Sequence, residues 1–251
     1  MGAPLGMCYP AGMTTDLAKL KVKIFADGAD KAGIEDIGKH PLIKGFTTNP
    51  TLMRKAGISD YEKFSREVLE IIGGRPISYE VFADDFSEME RQARLITTWG
   101  KNVYVKIPVT NTKREKATAM VERLAKDGIK LNVTALMTLD QVREITAALK
   151  DGPESYISVF AGRIADTGVD PLPLMSEALK IMKDAPKSEL IWASPRELLN
   201  IFHADSIGCH VITVTNDILA KLKLVGKDLS DYSLETVQMF FKDGQASGFK
   251  L

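Results

Sequence analysis

Apolar and polar positions along this chain follow two alternating rhythms. Short runs rich in β-branched and aliphatic residues occupy 22–27, 44–49, 77–82, 103–108, 130–136, 156–163, 189–194 and 210–215, the pattern of strands. Between them lie stretches whose apolar residues recur every three or four positions. In 61–72, for example, Phe64, Val68, Leu69 and Ile72 share one helical face, and 86–99, 113–126, 139–149 and 174–183 are rich in helix formers. Several strands are apolar on both faces, as a parallel sheet covered on both sides requires. Strand-helix alternation repeated eight times predicts an α/β protein built as a single (β/α)8 TIM barrel. An open, doubly wound sheet uses the same alternation and is the competing architecture.

The barrel is expected over 21–225. It follows an N-terminal extension, 1–20, in which Thr14-Thr15-Asp16 caps a short helix at 17–21. An additional C-terminal helix at 234–241 and a tail fill 226–251. The length of 251 residues suits one barrel rather than two domains. The 33 basic residues balance 33 acidic ones, so neither nucleic acid nor a membrane surface is expected as a partner. Two cysteines, Cys8 and Cys209, make no disulfide framework and fit a reducing cytosol. No apolar run approaches the roughly 20 residues of a membrane span, and 1–12 lacks the pattern of a signal peptide. The expected location is cytoplasmic.

In a barrel of this kind the chemistry sits at the C-terminal ends of the strands. Here those ends are polar: Asp27, Thr48-Asn49, Glu80, Lys106, Asn132 with Thr134, Ser158 with Arg163, and Ser194 with Arg196. Lys106 alternates with Val105 and Ile107 inside an aliphatic strand, where a charge is costly unless paired. Such a lysine is either a nucleophile toward a carbonyl or a structural partner of Asp27 or Glu80. Asp27 could equally cap the next helix, and Asn49, before Pro50, could be turn chemistry. Ser194-Pro195-Arg196 reads as an N-cap, a proline at the first helical position and a cation in the first turn, where an anion is wanted as partner. Arg163 adds a second guanidinium, or else pairs with Asp166. His40, His203 and His210 are isolated and form no metal-ligand cluster, so no metal is expected.

These strand-end motifs, taken together, resemble those of the transaldolase family, in its short branch that includes the fructose-6-phosphate aldolases. The matching pieces are Phe25-Ala26-Asp27-Gly28-Ala29-Asp30, Thr47-Thr48-Asn49-Pro50-Thr51-Leu52, Ser78-Tyr79-Glu80-Val81, Val105-Lys106-Ile107-Pro108, Leu131-Asn132-Val133-Thr134, Ile157 through Ile164, and Ala193-Ser194-Pro195-Arg196. Val159 departs from the pattern, standing where the family has proline. The resemblance implies a cofactor-free enzyme of the pentose phosphate pathway that handles phosphorylated sugars. Lys106 would form a Schiff base with a ketose carbonyl and Asp27 would take the C4 hydroxyl proton. Glu80, with a water also held by Thr134, would move protons. Thr48, Asn49, Asn132, Ser158 and Phe160 would line the donor site, and Arg163, Ser194 and Arg196 would hold phosphate. It further implies that the aldolase branch carries glutamine in place of Glu80 and tyrosine in place of Phe160, and that the chain forms a homo-oligomer whose terminal helix crosses a neighbour. A barrel that only binds sugar phosphates is the reading from another class. Buried ionisable groups, which a binding module does not need, argue against it.

Overall fold

A computed structural model of the chain describes residues 16–250; Thr14, Thr15 and Cys8 lie outside the described residues. Eight parallel strands close on themselves in sequence order. They are β1 (Lys23–Asp27), β2 (Ile43–Thr47), β3 (Ile77–Glu80), β4 (Val103–Pro108), β5 (Leu131–Leu136), β6 (Ser155–Val159), β7 (Ser188–Trp192) and β8 (Val211–Thr215). Closure is made by β1, which pairs with β2 on one side and β8 on the other. The protein is therefore a (β/α)8 TIM barrel and not an open sheet.

The outer ring contains α1 (Lys31–Gly38), α2 (Pro50–Lys55), α3 (Tyr61–Ile71), α4 (Phe86–Ile96), α5 (Thr118–Lys126), α6 (Leu139–Leu149), α7 (Ala161–Asp166), α8 (Pro171–Ile181), α9 (Leu199–Ser206) and α10 (Asn216–Leu219). A final helix, α11 (Leu229–Ser247), follows the barrel. Asp30, Asp60, Asp85, Thr138, Asp170 and Asp228 each accept a backbone N–H at a helix start, satisfying donors that the first turn leaves without partners. Before the barrel, Asp16 caps a single 3-10 turn at Leu17–Lys19, shorter than the expected helix. Asp205 accepts the N–H groups of Lys21 and Val22, which ties the start of the barrel to α9.

Some boundaries differ from the sequence-based expectation. The sixth strand ends at Val159, where pairing with β5 and β7 ends, and Arg163 belongs to α7 rather than to a strand. The 113–126 stretch is helical only from Thr118, because Thr110 and Lys116 bridge antiparallel in the loop before it. Residues 194–196 do not start a helix. Ser194 has φ +60, α9 begins at Leu199, and Asn200 Oδ1 accepts the N–H groups of Arg196 and Glu197 instead. The terminal helix is longer than 234–241. Among the described residues no helix is long and apolar enough to cross a membrane.

The core has two parts. A large apolar layer fills the space between strands and helices. A smaller cluster comprises Phe25, Tyr104, Tyr156, Ile191, Ala193 and Val211, with Phe160 against it. Side chains alternate along strands, so this second cluster is the barrel's interior.

Candidate active site

The interior alternation places the chemistry. Two residues beyond Phe25, Tyr104, Tyr156 and Val211, toward the C-terminal end of each strand, stand Asp27, Lys106, Ser158 and Thr213. The same step on β3 leads from Ser78 to Glu80, and on β5 from Asn132 to Thr134. An aromatic floor, with Phe25 edge-on to Tyr156 at 5.6 Å and Tyr104 4.4 Å from it, thus carries a polar layer. Above that layer opens a cavity of about 820 Å3. Gly45 is part of the construction, since a Cβ there would lie 2.6 Å from the Phe25 ring.

Lys106 is only 8% exposed. Its Nζ lies 3.1 Å from Glu80 Oε2 and donates to the Thr48 carbonyl oxygen at 3.1 Å. The pair is built by strand register, because Glu80 and Lys106 face each other across β3 and β4. The Glu80 backbone is clamped in turn: its N–H donates to the Tyr61 hydroxyl at 2.9 Å, and that hydroxyl donates to the Glu80 carbonyl at 3.1 Å. Asp27 does not cap α1, a role taken by Asp30. Its Oδ1 accepts from Thr47 Oγ1 at 2.8 Å. Burial pushes the Asp27 carboxyl above the usual range, with Lys106 and the Thr47 bond opposing that shift and Glu80 adding to it.

Asn132 is held on both sides, donating to Ser78 Oγ at 2.9 Å and accepting from Ser158 Oγ at 2.7 Å. The Thr134 hydroxyl is buried with no partner, so it is open to a water or substrate oxygen. Ala135, next to it, has φ +65 at a register shift between β5 and β6, a bulge that re-aims the end of the strand. Asn49 caps α2 through Leu52 N–H, as the turn reading expects, and it also lines the cavity.

At the rim, Arg196 Nη1 donates to Ser194 Oγ at 3.1 Å, and Nε donates to Asp166 Oδ1 at 2.8 Å. Nη2 completes a two-pronged ion pair with Asp166 Oδ2. That bond holds the Asp166 carboxyl below the usual range. The partner of Asp166 is thus Arg196, not Arg163, whose guanidinium lies over the Phe160 ring, 5.5 Å from its centre. Gly162 lets this corner close, for a Cβ there would lie 1.6 Å from the Ser194 carbonyl oxygen.

The sequence profile of the Transaldolase/Fructose-6-phosphate aldolase family matches residues 24–250. The chain belongs to this family. It is 34% identical over 226 residues to a protein of Listeria monocytogenes described as probable transaldolase 2, covering 90% of this chain and 97% of that one. It is also 35% identical over 223 residues to a probable transaldolase of Streptococcus agalactiae, covering 88% and 97%. A third relative, a probable transaldolase of a Thermoanaerobacter species, is 33% identical over 231 residues, covering 92% and 100%.

The protein is thus a transaldolase-type enzyme, and its cavity gathers nearly all of the side chains that the sequence singles out. Asp27, Asn49, Glu80, Lys106, Asn132 and Thr134 line it together with Ser158, Phe160, Arg163, Ser194 and Arg196. Thr48 does not: its hydroxyl donates to the Ser78 carbonyl and its carbonyl meets Lys106, so it reaches the site through its backbone. Polar lining residues to which the sequence assigns no role include Thr47, Thr213, Thr215 and Asp217. Thr213, between Ile212 and Val214, carries the same signal as Lys106, a polar side chain within an apolar strand.

Proposed function

We propose that the enzyme transfers a three-carbon dihydroxyacetone unit from a ketose phosphate to an aldose phosphate through a Schiff base on Lys106. The observation that carries this reading is the buried Lys106 amine, in reach of Glu80 and in one cavity with Asp27. The amine attacks the ketose C2 carbonyl, and Glu80 passes protons as water leaves to give the iminium. In this reading Thr134, whose hydroxyl has no protein partner, holds that water. Asp27 then takes the C4 hydroxyl proton, the C3–C4 bond breaks, and its electron pair moves into the iminium to give an enamine, releasing an aldose phosphate. The enamine attacks the acceptor aldehyde, and hydrolysis frees the product and the lysine. Asn132 and Ser158 are suited to the donor hydroxyls, and Arg163, Ser194 and Arg196 to phosphate, a charge-assisted contact.

Glu80 and Phe160 favour transfer over the aldolase reading, in which the fragment is released as free dihydroxyacetone. Phe160 has no hydroxyl with which to hold a water beside the imine; it stacks with Arg163 instead. Transfer from fructose 6-phosphate to erythrose 4-phosphate is expected to far outrun release of dihydroxyacetone. Phe160→Tyr is expected to raise release and lower transfer. Comparable rates of the two in the unmodified enzyme, from a coupled assay of both products, would favour the aldolase reading.

The same proposal includes a homo-oligomer. Helix α11 buries none of its residues, and Leu234, Val237 and Phe241, at helical spacing, are 56%, 59% and 69% exposed. An apolar face of this size on a surface helix calls for a partner, and a second copy of the chain is the partner the resemblance implies. Light scattering of the purified enzyme is expected to give a multiple of 27.6 kDa, and Val237→Glu with Phe241→Glu is expected to lower it. A monomer from the start removes this part of the proposal.

A further inference from the structure

Asp27 rests on a pair of hydroxyls that the chemistry outlined above does not use. Thr47 and Thr213 come from the two strands flanking β1. Thr47 on β2 is level with Asp27, and Thr213 on β8 is level with Phe25, one inward-facing step below. They are 3% and 7% exposed. Thr47 Oγ1 donates to Asp27 Oδ1 at 2.8 Å, and the Thr47 and Thr213 hydroxyl oxygens are hydrogen-bonded to each other.

A threonine hydroxyl has one proton. With that of Thr47 committed to the Asp27 carboxylate, the Thr47–Thr213 bond must take its proton from Thr213. The direction of the chain is therefore fixed: Thr213 to Thr47 to Asp27. Each bond polarises the next. We propose that Thr213 is a positioning residue for the catalytic base, acting through Thr47 to hold the Asp27 carboxylate ionised and aimed at the substrate's C4 hydroxyl. This role rests on the Schiff-base reading above, in which Asp27 accepts that proton.

The charged groups acting on Asp27 are Lys106 and Glu80, across the cavity. Of those on the elements packed against β1, several are engaged or lie at the far end of the barrel, and Asp217 faces the cavity. On α1, Lys31 pairs with Glu67 and Asp30 caps the helix. On β2, Lys44 donates to the Pro41 carbonyl. His210 precedes β8 at the opposite end of the barrel, accepting from Leu190 N–H. Asp217 of α10 lines the same cavity. Because burial already raises the Asp27 carboxyl and the Thr47 bond lowers it, weakening that bond raises it further. Activity that needs the carboxylate is gained as pH rises through this titration, so the acid limb of the rate profile moves to higher pH.

The test compares the full-length enzyme with Thr213→Val, which keeps the branched shape and removes the donor, and with Thr213→Ser, which keeps the donor. Loss of one net hydrogen bond predicts a kcat about three- to ten-fold lower in Thr213→Val, with KM little changed. The acid limb of kcat/KM should move upward, and Thr213→Ser should restore both. Borohydride trapping with fructose 6-phosphate should still label Lys106 in every variant. A normal adduct with an unmoved limb and unchanged kcat in Thr213→Val overturns the positioning role alone. Equal loss in the Val and Ser variants also overturns it, since packing rather than the donor would then be responsible. Absence of a Lys106 adduct in the unsubstituted enzyme overturns the Schiff-base reading, and this role with it.

Discussion

Lys106→Met is expected to fold, to lose turnover by on the order of 10⁴-fold or more, and to melt at a lower temperature than the unmodified enzyme. The kinetic effect follows from removing the one lysine amine that, among the described residues, lies beside Glu80 in the cavity. Borohydride with a ketose phosphate should add a reduced three-carbon unit to Lys106 in the parent and nothing in the variant. An adduct on another lysine would discard the assignment. The thermal effect has a separate cause. The Lys106 and Glu80 side chains are 10% and 15% exposed, and removing one member of a buried ion pair strands the other, at a cost of about 3 kcal/mol. For a chain of this size that is a drop of roughly 6–12 °C in Tm. Adding Glu80→Gln to Lys106→Met should recover most of the melting temperature and none of the turnover. A double variant as unstable as the single one would show that the loss is packing around the methionine instead.

Gly162→Ala should damage the Arg196 end of the cavity, to which the proposed mechanism assigns phosphate, while leaving the lysine end intact. The new Cβ would lie 1.6 Å from the Ser194 carbonyl oxygen, and that atom is backbone. The start of α7 and the loop carrying Ser194 and Arg196 must therefore separate by more than about 1 Å before an ordinary contact is restored. Ser194 already has a φ of +60, which leaves the loop little room to adjust. Misplacement on that scale costs about 10²-fold in kcat/KM for a phosphorylated substrate. Overpacking should also lower stability by about 1–3 kcal/mol. A non-phosphorylated ketose, measured in parallel, should lose much less. Equal losses for both would mean that the distortion spreads to Lys106 and that this corner has no special relation to phosphate.

Most of the site was legible because a polar residue inside a buried strand contradicts its surroundings, and Lys106 and Glu80 do so without any structure. Thr213 makes the same contradiction only weakly, because threonine is an ordinary strand former. The arginine pairing was not legible. Arg163 and Arg196 are both near Asp166, and only the early end of β6 at Val159 and the turn at Ser194 decide that Arg196 takes it. Helix α1 escaped detection since it contains Gly33 and buries only Ile34, too little for a periodic signal. The short helix α9 is hidden because its apolar face, Ile201, Phe202 and Ala204, runs into the strand-like segment after it.

The aromatic floor under the polar layer has a kinetic consequence. Phe25, Tyr104 and Tyr156 are 1%, 7% and 5% exposed, which makes the reaction chamber a vessel with a single door. Donor, first product and acceptor must, in the proposed chemistry, all use the same opening at the C-terminal ends of the strands. Under the proposed chemistry the departing aldose cannot slip out through the far end while the acceptor arrives. The doorway must empty before it refills, so the two aldoses compete for one berth. Parallel double-reciprocal plots are the signature of such traffic, with each aldose acting as a competitive inhibitor of the other.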